Sequence, residues 1–183
     1  MAERFDMFGI TWEPIDVHTE DGYQMTAFHI TGNRDGPINV TGPSVVMQHG
    51  MGGNSIVWTE ALRHDANEPM AFQFAAAGFD IWLANSAGNR YGWNHDTLTI
   101  DDKEFWNIDW RHGGVYDTPA LVDIIQQRNG GKKVAYVGHS QGTTQAYAGM
   151  GLIPEWYDAN VSMAVLLGPC TIPNTKYFLD LYT

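Results

Sequence analysis

The sequence predicts an α/β domain: a mostly parallel sheet with helices on both faces. Three observations lead there. After an opening hairpin, short apolar runs alternate with helical segments, the order that builds a parallel sheet covered on both sides. Glycine-rich stretches follow several of the apolar runs, at the carboxyl ends of strands where such sheets bind ligands. One of these ends, "YVGHSQGTT" over 136–144, sets Ser140 between Gly138 and Gly142 as a strand gives way to a helix.

Taken in order, 13–31 reads as a hairpin, two alternating runs around the turn Glu20-Asp21-Gly22. "SVVMQHG" over 44–50 is a buried strand that ends in glycine, and "GMGGNSIVW" is a glycine-rich loop. "EPMAFQFAAAG" over 68–78 is a helix, with Pro69 in its first turn and Gly78 as its cap. "FDIWLAN" over 79–85 is the next strand. The helix at 116–131 opens on Asp-Thr-Pro, places Ala120, Leu121, Ile124 and Ile125 on one face, and closes on Asn-Gly-Gly. "KKVAYVGHS" is a strand, "QGTTQAYAGMG" a helix, and "NVSMAVLLGP" over 160–169 a last strand, apolar on both faces.

Composition limits the function. With 183 residues, 44% hydrophobic and 17% charged, the chain suits one globular domain. A net charge of −11 argues against nucleic acid as a partner, because phosphate binding needs clustered Lys and Arg. The single cysteine, Cys170, excludes an internal disulfide and reads as a small core residue. No apolar run has the length of a membrane span, and the start "MAERFDMFGI" has no basic segment leading into an apolar one. The sequons at Asn39 and Asn160 say little about location.

Strand, G-x-S-x-G, helix is the arrangement of a nucleophile elbow. The turn is sharp enough to strain the serine, and the glycines let neighbouring backbone pass without a Cβ clash. Ser140 is the candidate nucleophile. The amide of Gln141 is a candidate oxyanion donor, and the loop "QHGMGG" over 48–53 offers the Met51 amide as the second. His49 and Gly50 in that loop, and Gly138, His139 and Gly142 in the elbow, are the supporting positions.

The chain resembles the acid lipase family, the gastric and lysosomal type of α/β-hydrolase. The resemblance runs along nearly the whole chain: "TEDGYQM" in the hairpin, "MQHGMGGNSIVW" in the oxyanion loop, "AAAGFDIWLANSAGNRYG", "DDKEFWNIDWRHGGVYDTPALVDII" and "YVGHSQGTT". Ala87 departs from it where the family usually has arginine, which puts local polar contacts in doubt. The resemblance implies a serine ester hydrolase for apolar acyl esters such as acylglycerols or sterol esters, with a lipid ester or fatty acyl ligand. It implies no metal and no organic cofactor. Family members are usually secreted or lysosomal. It also implies that 1–183 is one partial α/β-hydrolase domain, lacking the lid and the last strands. Its parts would be the hairpin at 13–31, strand and oxyanion loop at 44–53, elbow at 132–150 and last strand at 160–167.

The base is the difficulty. In this fold an acid and then a histidine follow the serine, yet all 7 histidines lie at or before 139. The acids after Ser140 are Glu155, Asp158 and Asp180. His139 adjoins the serine, but successive side chains diverge at a sharp turn. His95 is the better substitute base, His112 follows in the same region, and His18, His29 and His64 read as surface or hairpin residues. Strand 160–167 would form an unpaired apolar edge that invites another chain. Three readings stay open: half of a split hydrolase completed by a second chain, a non-catalytic subunit of a larger assembly, or part of an ordinary lipase.

Overall fold

The structure is a computed structural model that describes residues 1–60 and 69–171; His64 and Asp180 lie outside the described residues. The chain opens with helix α1 (Ala2–Phe8), then the hairpin strands β1 (Ile10–His18) and β2 (Tyr23–Asn33) and the short β3 (Gly36–Pro37). Next come β4 (Ser44–Gln48), a 3-10 turn (Ser55–Thr59), α2 (Met70–Ala76), β5 (Asp80–Leu83) and β6 (Asn94–His95). A second 3-10 turn (Lys103–Trp106), α3 (Trp110–His112), a π turn (Gly113–Asp117) and α4 (Thr118–Asn129) follow. β7 (Val134–His139), α5 (Gln141–Leu152), α6 (Pro154–Asn160) and β8 (Val161–Leu167) complete the described part.

One mixed sheet runs β1-β2-β5-β4-β7-β8, with β3 and β6 also paired to β2. β2 is antiparallel to β1 and β5, whereas β5, β4, β7 and β8 are mutually parallel. Strand alternation divides the core in two. Val45, Met47, Ile81, Leu83, Ala135 and Val137 pack with Phe72 and Ala75 of α2 and Phe5 of α1. Val46, Trp82, Val134 and Tyr136 point the other way, onto Leu121, Val122 and Ile125 of α4 and Ala146 of α5. Each large apolar side chain so covered contributes about 1.5–3 kcal/mol relative to exposure.

Helix α1 was not predictable from periodicity, being only 7 residues long. It is held by Phe5, which is fully buried and stacks on Trp12 at 5.0 Å between centroids, and by Phe8, which packs on Phe72 at 5.2 Å. Away from the parallel strands' carboxyl ends, a polar cluster ties four strands together. His29 bridges Glu13 (2.9 Å) and Asp80 (2.6 Å) and lies flat on Trp82, while Ser44 and the Trp82 indole donate to the same Asp80 carboxylate. His29 is therefore part of the hairpin's anchorage.

β8 closes the described sheet, and among the described residues no strand pairs with its outer edge. Its Met163 and Val165 are in register with the buried Ala135 and Val137 but stand 57% and 37% exposed, because the α1–α2 layer does not extend over them. Cys170 corrects the sequence reading: it is exposed, not a core residue. The chain turns at Gly168 (φ 59°) and lays its backbone over the start of α5. There the Cys170 amide donates to Thr143 Oγ1 (2.9 Å) and its carbonyl accepts from Thr144 Oγ1 (2.8 Å). No helix of the described residues is long and apolar enough to cross a membrane.

Candidate active site

β7 ends at His139 and α5 begins at Gln141, so Ser140 alone makes the turn. It sits at φ 52°, ψ −117°, the one non-glycine residue with positive φ among those described. Such a conformation costs on the order of 1–3 kcal/mol and persists only where the surroundings impose it. Here the Ser140 amide donates to Leu167 O of β8 (2.9 Å), and its carbonyl accepts from the Thr143 amide (2.9 Å) and hydroxyl (2.6 Å).

The elbow glycines are needed for space. A Cβ on Gly138 would meet Gly142 O at 2.8 Å, and one on Gly142 would meet Gln48 O at 2.7 Å and His49 O at 2.9 Å. The elbow helix and the end of β4 thus touch backbone to backbone. Tyr136, buried beneath, donates its hydroxyl to Gly142 O at 2.8 Å. Gly50 lies directly on the serine: a Cβ there would stand 3.0 Å from Ser140 Cβ.

His49 fixes the loop. One ring nitrogen, Nδ1, meets Gly50 O at 2.7 Å, and the Gly53 amide donates to the same oxygen at 3.2 Å. Nε2 faces the Ser86 amide (3.3 Å) and Asn89 Nδ2 (3.0 Å). Burial pushes the imidazole pKa down, outweighing the bond to Gly50, so the ring is neutral and both nitrogens are engaged. In a trans peptide the carbonyl and the following N–H point opposite ways. With Gly50 O drawn toward His49, the Met51 N–H is turned away from it. Neither the Met51 nor the Gln141 amide has an acceptor among the described residues. Gln141 opens α5, where the first amides have no intrahelical partner.

None of the other described histidines is joined to the serine by a hydrogen bond. His95 pairs with β2 opposite Tyr23. Its Nε2 meets Asp21 O (3.1 Å), and its Nδ1 accepts from the Thr97 and Leu98 amides (3.1 Å each). His112 caps α3 by accepting from the Asp109 amide, and His18 meets Asp96. The His139 ring is exposed beside Gly50, with Nδ1 3.4 Å from where a Gly50 Cβ would lie. Glu155 and Asp158 belong to α6 and make no side-chain bond to the elbow.

Behind the elbow the segment 85–89 links the parts, a role the sequence did not disclose. Ser86 Oγ accepts from Gln48 Nε2 (2.9 Å) at the end of β4 and from Gln145 Nε2 (3.0 Å) on α5. The Ala87 amide donates to Asp117 (3.1 Å), the polar contact at the position where the resemblance breaks. Asp117 is buried at the end of the π turn, and burial pushes its carboxyl up to about 7. The π turn forms because Gly113 and Gly114 press onto Gln145 of α5, where no Cβ would fit. The Gly-Gly pair at 113–114 was the one available signal of that close approach. No group of His, Cys, Asp and Glu among the described residues is placed to hold a metal ion.

Comparison with known proteins agrees with the fold. The family model described as "alpha/beta hydrolase fold" matches residues 43–181, and that described as "partial alpha/beta-hydrolase lipase region" matches residues 1–62. The human lysosomal acid lipase/cholesteryl ester hydrolase is 36% identical over 183 residues, covering 96% of this chain and 45% of that protein. Mouse lipase member M is 36% identical over 178 residues, covering 93% of this chain and 41% of that protein. The chain thus spans less than half the length of these curated relatives. Among solved structures, an esterase from Pyrococcus furiosus superposes with a TM-score of 0.56 at 16% identity, over 96% of this chain and 59% of that one. A CIB-like hydrolase from Thermoplasma acidophilum gives 0.55 at 15% identity, over 92% and 68%. At those identities the two structures speak for the fold alone.

Proposed function

The chain belongs to the α/β-hydrolase family and is acid-lipase-like, and from that premise we propose that it carries the nucleophile and oxyanion hole of a serine ester hydrolase for lipid acyl esters. The observation that carries the reading is the strained Ser140 with Gly50 packed on its Cβ and two unbonded amides close by in the chain. Ser140 Oγ attacks the acyl carbon and gives its proton to a base. The carbonyl oxygen becomes an oxyanion held by the Met51 and Gln141 amides, each worth about 3 kcal/mol of barrier. Collapse expels the alcohol, which takes the proton from the base, and water then hydrolyses the acyl-serine by the same route. His49, Gly50, Gly138, His139 and Gly142 shape the site without moving protons. Sterol esters are suggested by the name of the relative called a cholesteryl ester hydrolase, and acylglycerols by the resemblance to the acid lipase family.

The base and its orienting acid come from polypeptide outside residues 1–183. His49 and His95 have both nitrogens committed, and His139 faces the loop. The open edge of β8, with Met163 and Val165 bare beside it, is where the completing polypeptide pairs. Residues 1–183 alone are then expected to turn over p-nitrophenyl esters negligibly, and the completed assembly to do so with loss on Ser140→Ala. Turnover by the isolated chain that Ser140→Ala abolishes would place the base within it. A completed assembly with no turnover would favour the reading as a non-catalytic subunit, which the lack of a histidine bonded to Ser140 among the described residues also supports.

A further inference from the structure

Backbone groups have fixed polarity, since an N–H only donates and a C=O only accepts. That fixes the side chains of segment 85–89 in turn. The Tyr91 amide lies 2.8 Å from Asn89 Oδ1, which makes that atom the acceptor and leaves Nδ2 on the opposite side. Nδ2 donates to Asn85 Oδ1 and to His49 Nε2, both at 3.0 Å. Asn85 is set the same way: the Ser55 amide donates to its Oδ1 (2.9 Å), and its Nδ2 donates to Thr26 O (2.6 Å). The Ser86 amide is a second donor to His49 Nε2. Nε2 is thereby the acceptor nitrogen, and a neutral imidazole then carries its proton on Nδ1, which faces Gly50 O.

We infer that Asn89 is a positioning residue for the oxyanion loop: together with the Ser86 amide it selects the His49 tautomer protonated on Nδ1, whose bond to Gly50 O holds the Gly50–Met51 peptide with the Met51 N–H turned outward. With the proton on Nε2 instead, that nitrogen would confront two donors and Gly50 O would lose its 2.7 Å partner. The peptide could then rotate about ψ of Gly50 and φ of Met51, and Gly50 has no Cβ to resist it. Burial of His49, 3% exposed, disfavours escape through the charged ring. Only the last link, from the Met51 amide to catalysis, rests on the function proposed above.

The test begins on the chain itself. Long-range 1H–15N spectra of 15N-histidine-labelled protein should show His49 as a neutral ring protonated on Nδ1. A ring protonated on Nε2, or charged near neutral pH, overturns the inference without any variant. Asn89→Asp replaces the donor by an acceptor and should abolish that signature while speeding exchange of the Gly53 amide, which donates to Gly50 O, about 10–100-fold, the effect of one lost buried hydrogen bond. Unchanged exchange with a changed tautomer also overturns it. If Asn89→Asp does not fold, Asn89→Ser, which keeps a donor, should retain the Nδ1 tautomer, and its loss contradicts the claim. In the completed enzyme Asn89→Asp should lower kcat about 10–100-fold with KM nearly constant. That effect should vanish in a His49→Asn background, where an amide donor to Gly50 O no longer depends on residue 89. Ester cleavage that survives Ser140→Ala would refute the proposed function instead, and would leave the tautomer result as it stands.

Discussion

Gly142 faces the carbonyl oxygen of Gln48 so closely that a Cβ on it would stand only 2.7 Å away. This contact joins α5 to the strand that leads into the loop at 48–53, so the distance between serine and loop depends on a hydrogen atom at residue 142. Gly142→Ala forces the two apart and is expected to cost about 1–3 kcal/mol by urea unfolding, as overpacked cores do. Stability within experimental error of the parent would show that α5 shifts freely and that the contact does not set the site.

Asp117 gives a pH dependence with a definite sign. Its folded-state pKa is raised, first by burial and further by Asp21, against one bond from the Ala87 amide. The groups facing it are Asp21 on the hairpin turn, Tyr23 on β2, Tyr136 on β7 and Tyr157 on α6, and no cation is among them. Between the unfolded value of 3.8 and about 7 the folded chain binds the extra proton, so its stability is full in acid and declines as pH rises through that window. Asp117→Asn should match the parent near pH 4 and exceed it at pH 8 by roughly 4 kcal/mol. Parallel stability profiles for the two proteins would show that the carboxyl is not the source.

The cluster at the other end of the sheet has the opposite sign. Burial pushes the Asp80 carboxyl up, but bonds from His29, Ser44 and Trp82 outweigh it and hold the pKa below the ordinary value. Its stabilisation is present above the unfolded carboxylate range and is lost as pH falls through the folded value. His29→Leu removes the strongest of these partners and should cost about 2–3 kcal/mol near neutrality, with a smaller loss in acid. An equal loss at pH 7 and pH 3 would mean that packing on Trp82, not the carboxylate, accounts for it.

The strands were legible because each carries its own signal. Apolar runs ending in glycine located β4, β7 and β8, and the Glu20-Asp21-Gly22 turn set the hairpin register. The strand-to-helix turn at Ser140 was equally plain, since strand, glycines and helix are contiguous. What sequence could not reveal is long-range. Helix α1 depends on Phe5 and Phe8 packing on Phe72 of α2, and the π turn on glycines whose partner, Gln145, lies on another helix. Asn85, Ser86 and Asn89 lie between recognisable elements, and only the fold brings them to Gln48, His49 and Gln145. Cys170 was misjudged because residue type says small and apolar, whereas the turn at Gly168 fixes its exposure.

The central claim is that Ser140 is a competent nucleophile whose base lies outside residues 1–183. Its most direct test is fluorophosphonate labelling followed by peptide mass mapping, on residues 1–183 alone and after completion by polypeptide bearing a histidine. The account predicts adduct on Ser140 in the completed protein and essentially none in the isolated chain. Rapid labelling of Ser140 in isolation, or an unlabelled Ser140 in the completed protein, would contradict it.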